Sequence, residues 1–140
     1  MELPESAKDV IRAGAYAHLA TIDIDGSPQV TVAWAGLDGE DIVIATLFDQ
    51  RKLANIRRDP RVTLSFEIDE LNEWGLRKYL VVYGTARIVE GGAAEKLQEL
   101  AHVYLGPEVV FPAMPDPPAG FVTRVTPERL GGIGPWNPRG

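Results

Sequence analysis

Apolar residues recur along the chain with two periods, and the changes between them mark its elements. Residues 4 to 13 carry Val10 and Ile11, with Leu3 just ahead, as a small apolar face of helical spacing. Ser6 is placed to cap this helix, with Asp9 three residues on, and Gly14 to end it. From Tyr16 the period becomes two. Residues 17 to 24 predict a strand, Asp25-Gly26 a tight turn, and Pro28 starts a second strand that runs to Leu37. Asp38-Gly39 is the next turn, and residues 41 to 47 predict a third strand. Rich in Val, Ile and Thr, the three strands predict an antiparallel meander. Residues 51 to 58 predict a short helix with Leu53 and Ile56 toward the core; Pro60 ends it by driving Asp59 out of the helical region.

The second half continues in the same manner. Residues 61 to 68 alternate as a fourth strand, 69 to 76 are a polar connection, and 78 to 89 are a long fifth strand. Gly84, inside that strand, marks a bulge or a close backbone approach. Residues 93 to 105 predict a helix on Leu97, Leu100, Ala101 and Tyr104. Residues 106 to 118 hold five of the chain's eleven prolines and predict an irregular loop, a flap over a pocket or a partner's surface. Residues 121 to 125 predict a sixth strand, Thr126-Pro127 a turn, Arg129 to Ile133 a return to the sheet edge, and 134 to 140 a loose tail. The whole predicts a mainly β (α+β) fold: one domain over residues 1–140, a six-stranded antiparallel barrel with flanking helices. The order of elements is not the βαβ alternation of a doubly wound sheet. No dinucleotide fingerprint or P-loop is present, and Gly-Gly-Ile-Gly near the C-terminus lacks the strand-to-helix context such motifs need.

Composition narrows the function classes. Hydrophobic residues make up 45% and charged residues 24%, as expected of a soluble globular domain rather than a disordered chain. The absence of Cys excludes disulfides, thiolate metal sites and a Cys nucleophile, and fits a cytoplasmic protein. The acidic N-terminus lacks the apolar core of a secretory signal, and no apolar run approaches the roughly 18 residues of a membrane span. A net charge of −6 argues against nucleic acid or an anionic membrane as partner. His18 and His102 lack metal-ligand spacing, so no metal is expected. There is no GxSxG nucleophile and no distinctive carboxylate pair, so the catalytic residues remain unknown. That profile fits an enzyme whose cofactor does the chemistry. Trp34, Trp74 and Trp136 are each able to stack on a planar ring or to pack in a core.

One stretch stands out from the acidic background. Arg51, Lys52, Arg57, Arg58 and Arg61 place five of the fourteen Lys and Arg residues within eleven positions, where a short helix opens after a strand. Backbone N–H groups and the helix dipole favour a phosphate there. Thr46 offers one hydroxyl hydrogen bond, Arg51 a two-pronged one and Lys52 a compact charge. Arg51, Asn55 and Arg58 share a helix face, from which Arg58 extends toward an anionic tail. Asp49 as helix cap would compete with a phosphate. An ordinary solvated cationic face, with arginines paired to Asp59, Glu67 or Asp69, accounts for the same charges equally well.

Taken together, ATIDIDGSPQVTVAW, ATLFDQRKLANIRRDPRVTLSFE and YGTARIVE resemble, in order and spacing, the flavin/deazaflavin oxidoreductases with the split β-barrel of pyridoxamine phosphate oxidase. The resemblance covers roughly residues 5 to 105 and 120 to 136. It implies a homodimer with two cofactor sites at the subunit interface and a small-molecule substrate. Thr46, Arg51 and Lys52 match the positions that contact the cofactor phosphate, and Val30, Thr31, Val32 and Ala33 those running beneath its ring. Gln50 and Asn55 match neighbouring positions. The ending RVTPERLGGIGPW departs from the substrate motif of the vitamin B6 oxidases and is similar to the subgroup using coenzyme F420, whose acidic tail would suit Arg57, Arg58 and Arg61. The implied activity is hydride transfer from reduced F420 to a small unsaturated substrate. An FMN-dependent reductase or oxidase of the same fold, or a non-catalytic cofactor-binding protein, are the alternatives.

Overall fold

The computed structural model describes residues 1–138; Arg139 and Gly140, the end of the predicted loose tail, lie outside them. The elements run α1 (Glu5–Arg12), β1 (Ala17–Ile22), β2 (Pro28–Ala33), β3 (Gly36–Asp38), β4 (Asp41–Thr46), α2 (Arg51–Arg58), β5 (Arg61–Leu71), β6 (Arg77–Glu90), α3 (Ala93–Tyr104) and β7 (Phe121–Ile133). The seven strands form one sheet in the order β2-β1-β5-β6-β7-β4-β3, every neighbouring pair antiparallel. The mainly β α+β class expected from the sequence holds, with one strand more than the six predicted.

The extra strand arises where the predicted second strand breaks. Its two halves, β2 and β3, sit at opposite ends of the strand order. Trp34 and Ala35 lie between them: Trp34 stacks on Tyr104 at 5.4 Å, and the Tyr104 hydroxyl accepts the Ala35 N–H at 3.0 Å. A side chain on α3 has thus replaced the ladder partner, and alternation alone does not reveal that. Three Cα steps from Ala33 to Gly36 span at most about 11 Å, so the two edges of the sheet meet there. The sheet curls into a barrel with no ladder between β2 and β3, an open seam instead of the closed meander expected. β4 pairs with β7 and β3, not with β2.

Side-chain alternation places the core inside this curl. Leu19, Ile42, Ile44, Leu64, Phe66, Leu80 and Val82 are buried in it, together with Val10 and Ile11 of α1 and Ile56 of α2. Each such side chain contributes roughly 1.5–3 kcal/mol by leaving water. Val43 and Ala45, on the other face of β4, pack with Val122 and with Ala93 and Leu97 of α3 in a second, smaller cluster. β4 is therefore buried on both faces. Helix α1 begins after Pro4, so Ser6 lies inside it and does not cap it; Gly14, at φ +82°, follows its end.

Two further differences lie near the C-terminus. The predicted turn at Thr126-Pro127 is instead part of a continuous strand. β7 carries one extra residue there: Tyr83 pairs with Arg129 and Gly84 with Pro127, leaving Glu128 bulged. Pro127 has no N–H to donate, and a bulge is where a strand tolerates it. Residues 134 to 138 are not loose. Trp136 is 7% exposed and its indole Nε1 donates to the Tyr79 carbonyl at 3.1 Å.

Gly84 meets both readings made of it, since it sits at the bulge and a Cβ there would overlap the Thr126 carbonyl oxygen. Gly84→Ala should lower stability by about 3 kcal/mol, as for an overpacked core site. Urea unfolding measures this, and an unshifted midpoint would contradict the close approach.

Candidate functional site

β4 ends at Thr46 and, after four intervening residues, α2 opens at Arg51. Gln50, in extended conformation, is the N-cap; its side chain makes no capping hydrogen bond, and the first turn contains no acidic residue. Asp49 is not the cap. It turns away to pair with Arg57 at 3.2 Å, so no carboxylate blocks the helix N-terminus. The Leu53 and Ala54 N–H groups donate back to the Gln50 carbonyl, which leaves those of Arg51 and Lys52 open at the positive end of the helix dipole.

Beside this end lie polar groups without partners. Lys52 is 5% exposed yet forms no ion pair or hydrogen bond among the described residues. Burial alone pushes its ammonium below the ordinary lysine pKa. The Thr46 hydroxyl is buried and unpartnered, and so is that of Thr31. Leaving such groups buried and unpaired costs about 1–3 kcal/mol each, which a folded protein rarely sustains without a purpose. Lys52 and Thr46 face a cleft of about 310 Å³, together with Ala33, Trp34, Gln50 and Phe111.

Of the residues expected from the sequence, Val32, Ala33, Thr46, Gln50 and Lys52 converge on this cleft. Val30 and Val32 project from the outer face of β2 and are 61% and 59% exposed. Thr31 lies between them in sequence, on the inner face. Arg51 does not line the cleft; its side chain is exposed, 3.8 Å from Asp23. Asn55 and Arg58 do not line the cleft. Asn55 is 2% exposed, and its amide nitrogen lies 3.0 Å from the Thr21 hydroxyl, 3.0 Å from Asp23 and 3.1 Å from the Gln29 oxygen. Arg58 donates to the Asn55 oxygen and to the Ile22 carbonyl. Both side chains fasten α2 to the β1–β2 hairpin. Arg57 leans over the Phe121 ring at 5.4 Å, and Arg61 grips Asp59 at 2.6 Å. Hydrogen bonds from Arg61 hold the Asp59 carboxyl down at about 2. The solvated-face reading thus applies to the later arginines and fails for Lys52.

The sequence did not single out Tyr16, Leu97 or Phe111 as lining residues. Trp34 was a stacking candidate, and it is tilted against Phe111 at 5.2 Å. Phe111 comes from the Pro-rich loop, where only the flap reading pointed to it. A larger cleft, about 600 Å³, lies between α1 and the far end of β5, but Asp9, Glu67, Asp69 and Glu70 line it against a single Lys78. Its charge disfavours an anion. Among the described residues no group of three or more His, Cys, Asp or Glu side chains is placed to hold a metal, and no helix is long and apolar enough to cross a membrane.

The fold has counterparts among solved structures. An F420 reductase superposes with a TM-score of 0.74 at 28% identity, covering 92% of this chain and 98% of that one. A conserved hypothetical protein from Mycobacterium tuberculosis gives 0.73 at 25% identity, covering 94% and 84%. The heme storage protein HutZ from Vibrio cholerae gives 0.64 at 20% identity, covering 94% and 95%, a likeness of fold. No curated protein matches the chain. Residues 3 to 134 match the family described as pyridoxamine 5'-phosphate oxidase, and the chain belongs to that family.

Proposed function

We propose that the chain is an F420-dependent reductase whose cofactor phosphate sits at the N-terminus of α2. The observation that carries this reading is the unpaired, desolvated ammonium of Lys52 beside the unpartnered Thr46 hydroxyl. A phosphate satisfies both groups and the free N–H groups of the first helical turn. Arg51 reaches the same oxygens by leaving its 3.8 Å contact with Asp23. When bound, the deazaflavin supplies the hydride for a small unsaturated substrate. The chain's own residues bind, orient and shield it. β2 is an edge strand, so one side of its backbone has no ladder partner and is free to bond the edge of a planar heterocycle along Val30 to Ala33. Trp34 and Phe111 wall the cleft and exclude water from its apolar end.

The likeness to an F420 reductase at 28% identity supports the choice of deazaflavin. The later arginines do not add to it. Arg57, Arg58 and Arg61 are each engaged within the chain, so the surplus expected to hold an acidic tail is not free. That observation favours FMN, which has a phosphate and planar ring but no acidic tail, as the second reading. Titrating the purified protein with F420 and with FMN under tryptophan fluorescence decides between them. Micromolar F420 binding is expected; micromolar FMN binding with none for F420 would sink the first reading.

A second copy of the chain completes the site in this proposal. Val30, Val32, Tyr16 and Phe48 are each more than half exposed on or near the cleft-bearing strands, an apolar surface that a partner would cover. Val32→Glu should convert a dimer into a monomer in sedimentation equilibrium and abolish cofactor binding. A wild-type protein that sediments as a monomer would rule out the shared site.

Lys52→Met and Thr46→Val separate binding from folding. Each should weaken cofactor binding, Lys52→Met by roughly 1.5–3 kcal/mol, the scale of a charge-assisted hydrogen bond. Neither should destabilise the free protein, because each removes a group that is buried without a partner. The pH dependence has a definite sign. The Lys52 pKa is lowered from 10.5 on folding, so the unfolded chain holds this proton more tightly and the free protein gains stability as pH rises toward that value. Cofactor affinity falls over the same alkaline range. Thermal melts of both variants between neutral and alkaline pH test this, and a Lys52→Met protein that melts well below wild type would assign Lys52 an internal partner instead.

A further inference from the structure

The segment from Pro107 to Pro118 contains no helix or strand, yet it delivers Phe111 to the cleft. Apart from the Val109 N–H, which donates to the Gly106 carbonyl at 3.2 Å, its hydrogen bonds to the rest of the chain come, among the described residues, from one side chain. Gln98, half-buried on α3, donates from Nε2 to the Val109 carbonyl at 2.8 Å and accepts the Phe111 N–H on Oε1 at 3.1 Å. Its amide pairs with the loop backbone as a peptide group pairs with a neighbouring strand. A carbonyl facing the nitrogen and an N–H facing the oxygen give the amide one orientation, and the nitrogen also lies 2.9 Å from His102 Nε2. One residue earlier on α3, Leu97 lines the cleft.

Phe111 in turn is the outer member of an aromatic series. It lies against Trp34 at 5.2 Å, Trp34 stacks on Tyr104 at 5.4 Å with planes 13° apart, and Tyr104 is pinned by the Ala15 and Ala35 backbone. Trp34 and Tyr104 belong to the rigid seam of the barrel. Phe111 does not, because its position relative to them depends on the loop.

From these contacts we propose that Gln98 is a positioning residue: by holding Val109 and Phe111 it sets the gap between the loop and the barrel, and thereby selects for flat, conjugated ligands in the cleft. The inference rests on the reading that the cleft holds a planar ring joined to a phosphate. Gln98 touches neither. Its effect falls on the aromatic end and leaves the anion end at Lys52 unchanged. The same wall favours flat unsaturated substrates over saturated ones of equal size, since a thicker group beside Phe111 has to displace a segment that Gln98 restrains.

The test uses Gln98→Leu, which removes both side-chain hydrogen bonds to the loop, and Gln98→Glu, which keeps an acceptor for the Phe111 N–H but sets a carboxylate oxygen against the Val109 carbonyl. The Phe111 amide should exchange with solvent at least tenfold faster in Gln98→Leu than in wild type, with Gln98→Glu in between and thermal midpoints close to wild type. F420 and FMN should bind at least fivefold more weakly to Gln98→Leu. Inorganic phosphate, followed by the amide shifts of Arg51 and Lys52, should bind all three proteins equally. Phe111→Ala should reproduce the loss of ring affinity, and the double variant should add nothing to it. Unchanged exchange at Phe111, a parallel loss of phosphate binding, or additive effects in the double variant would each overturn the proposal. If wild type bound neither F420 nor FMN, the cofactor reading and the ligand half of the inference would fall together, while the Phe111 exchange rates would still decide whether Gln98 positions the loop.

Discussion

The side-chain amide of Asn55 ties the candidate site to the barrel. It is buried at the point where α2 crosses the β1–β2 hairpin, with Thr21, Asp23 and Gln29 all within 3.1 Å of its nitrogen and Arg58 on its oxygen. An amide nitrogen has two hydrogens, so three acceptors share them. Arg58 polarises the group from the other side, strengthening these bonds in a place where water cannot substitute. The junction fixes the axis of α2 against the sheet. It therefore aims the uncapped first turn, and Lys52 within it, at the cleft. It also holds Asp23, a carboxylate 3.8 Å from Arg51.

This division of labour within one helix explains how far the sequence could be read. The bounds of α2, its buried Leu53 and Ile56, and its end before Pro60 all follow from local rules, since periodicity and proline act over a few residues. Lys52 and Thr46 were legible for the same reason: a strand end, a helix start and a cation lie close in sequence. Asn55 and Arg58 look equally suited to a ligand from their spacing. Their partners, Thr21, Asp23, Gln29 and Ile22, lie more than twenty-five residues away, and no local pattern reports that they have already taken up the hydrogen bonds. The arginines followed the same logic. A charge can be counted along a chain, but whether it is spent depends on the fold.

The strand break at Trp34 and Ala35 teaches a related lesson. No proline or Asp-Gly turn interrupts the run from Gln29 to Leu37, so a single strand was the natural expectation. The hydroxyl of Tyr104, sixty-nine residues from Ala35, supplies the competing hydrogen bonds that end it. A tertiary contact has overridden a sound local preference. Phe111 was missed because its loop has no period at all, and Trp136 because a Gly- and Pro-rich tail gives no sign that one indole N–H will anchor it.

The pairing of β4 with β7 bears on how the chain acquires its shape. Ile42 lies opposite Val125 and Thr46 opposite Phe121, contacts more than seventy residues apart, and the only other partner of β4 is the three-residue β3. Contacts this distant in sequence carry a large loop-closure entropy and slow the search for the native state. During synthesis, β4 has little to pair with until the last strand has been made. Thr46 then reaches its place late, and a chain truncated before residue 121 would leave an apolar strand, buried on both faces in the finished barrel, open to aggregation.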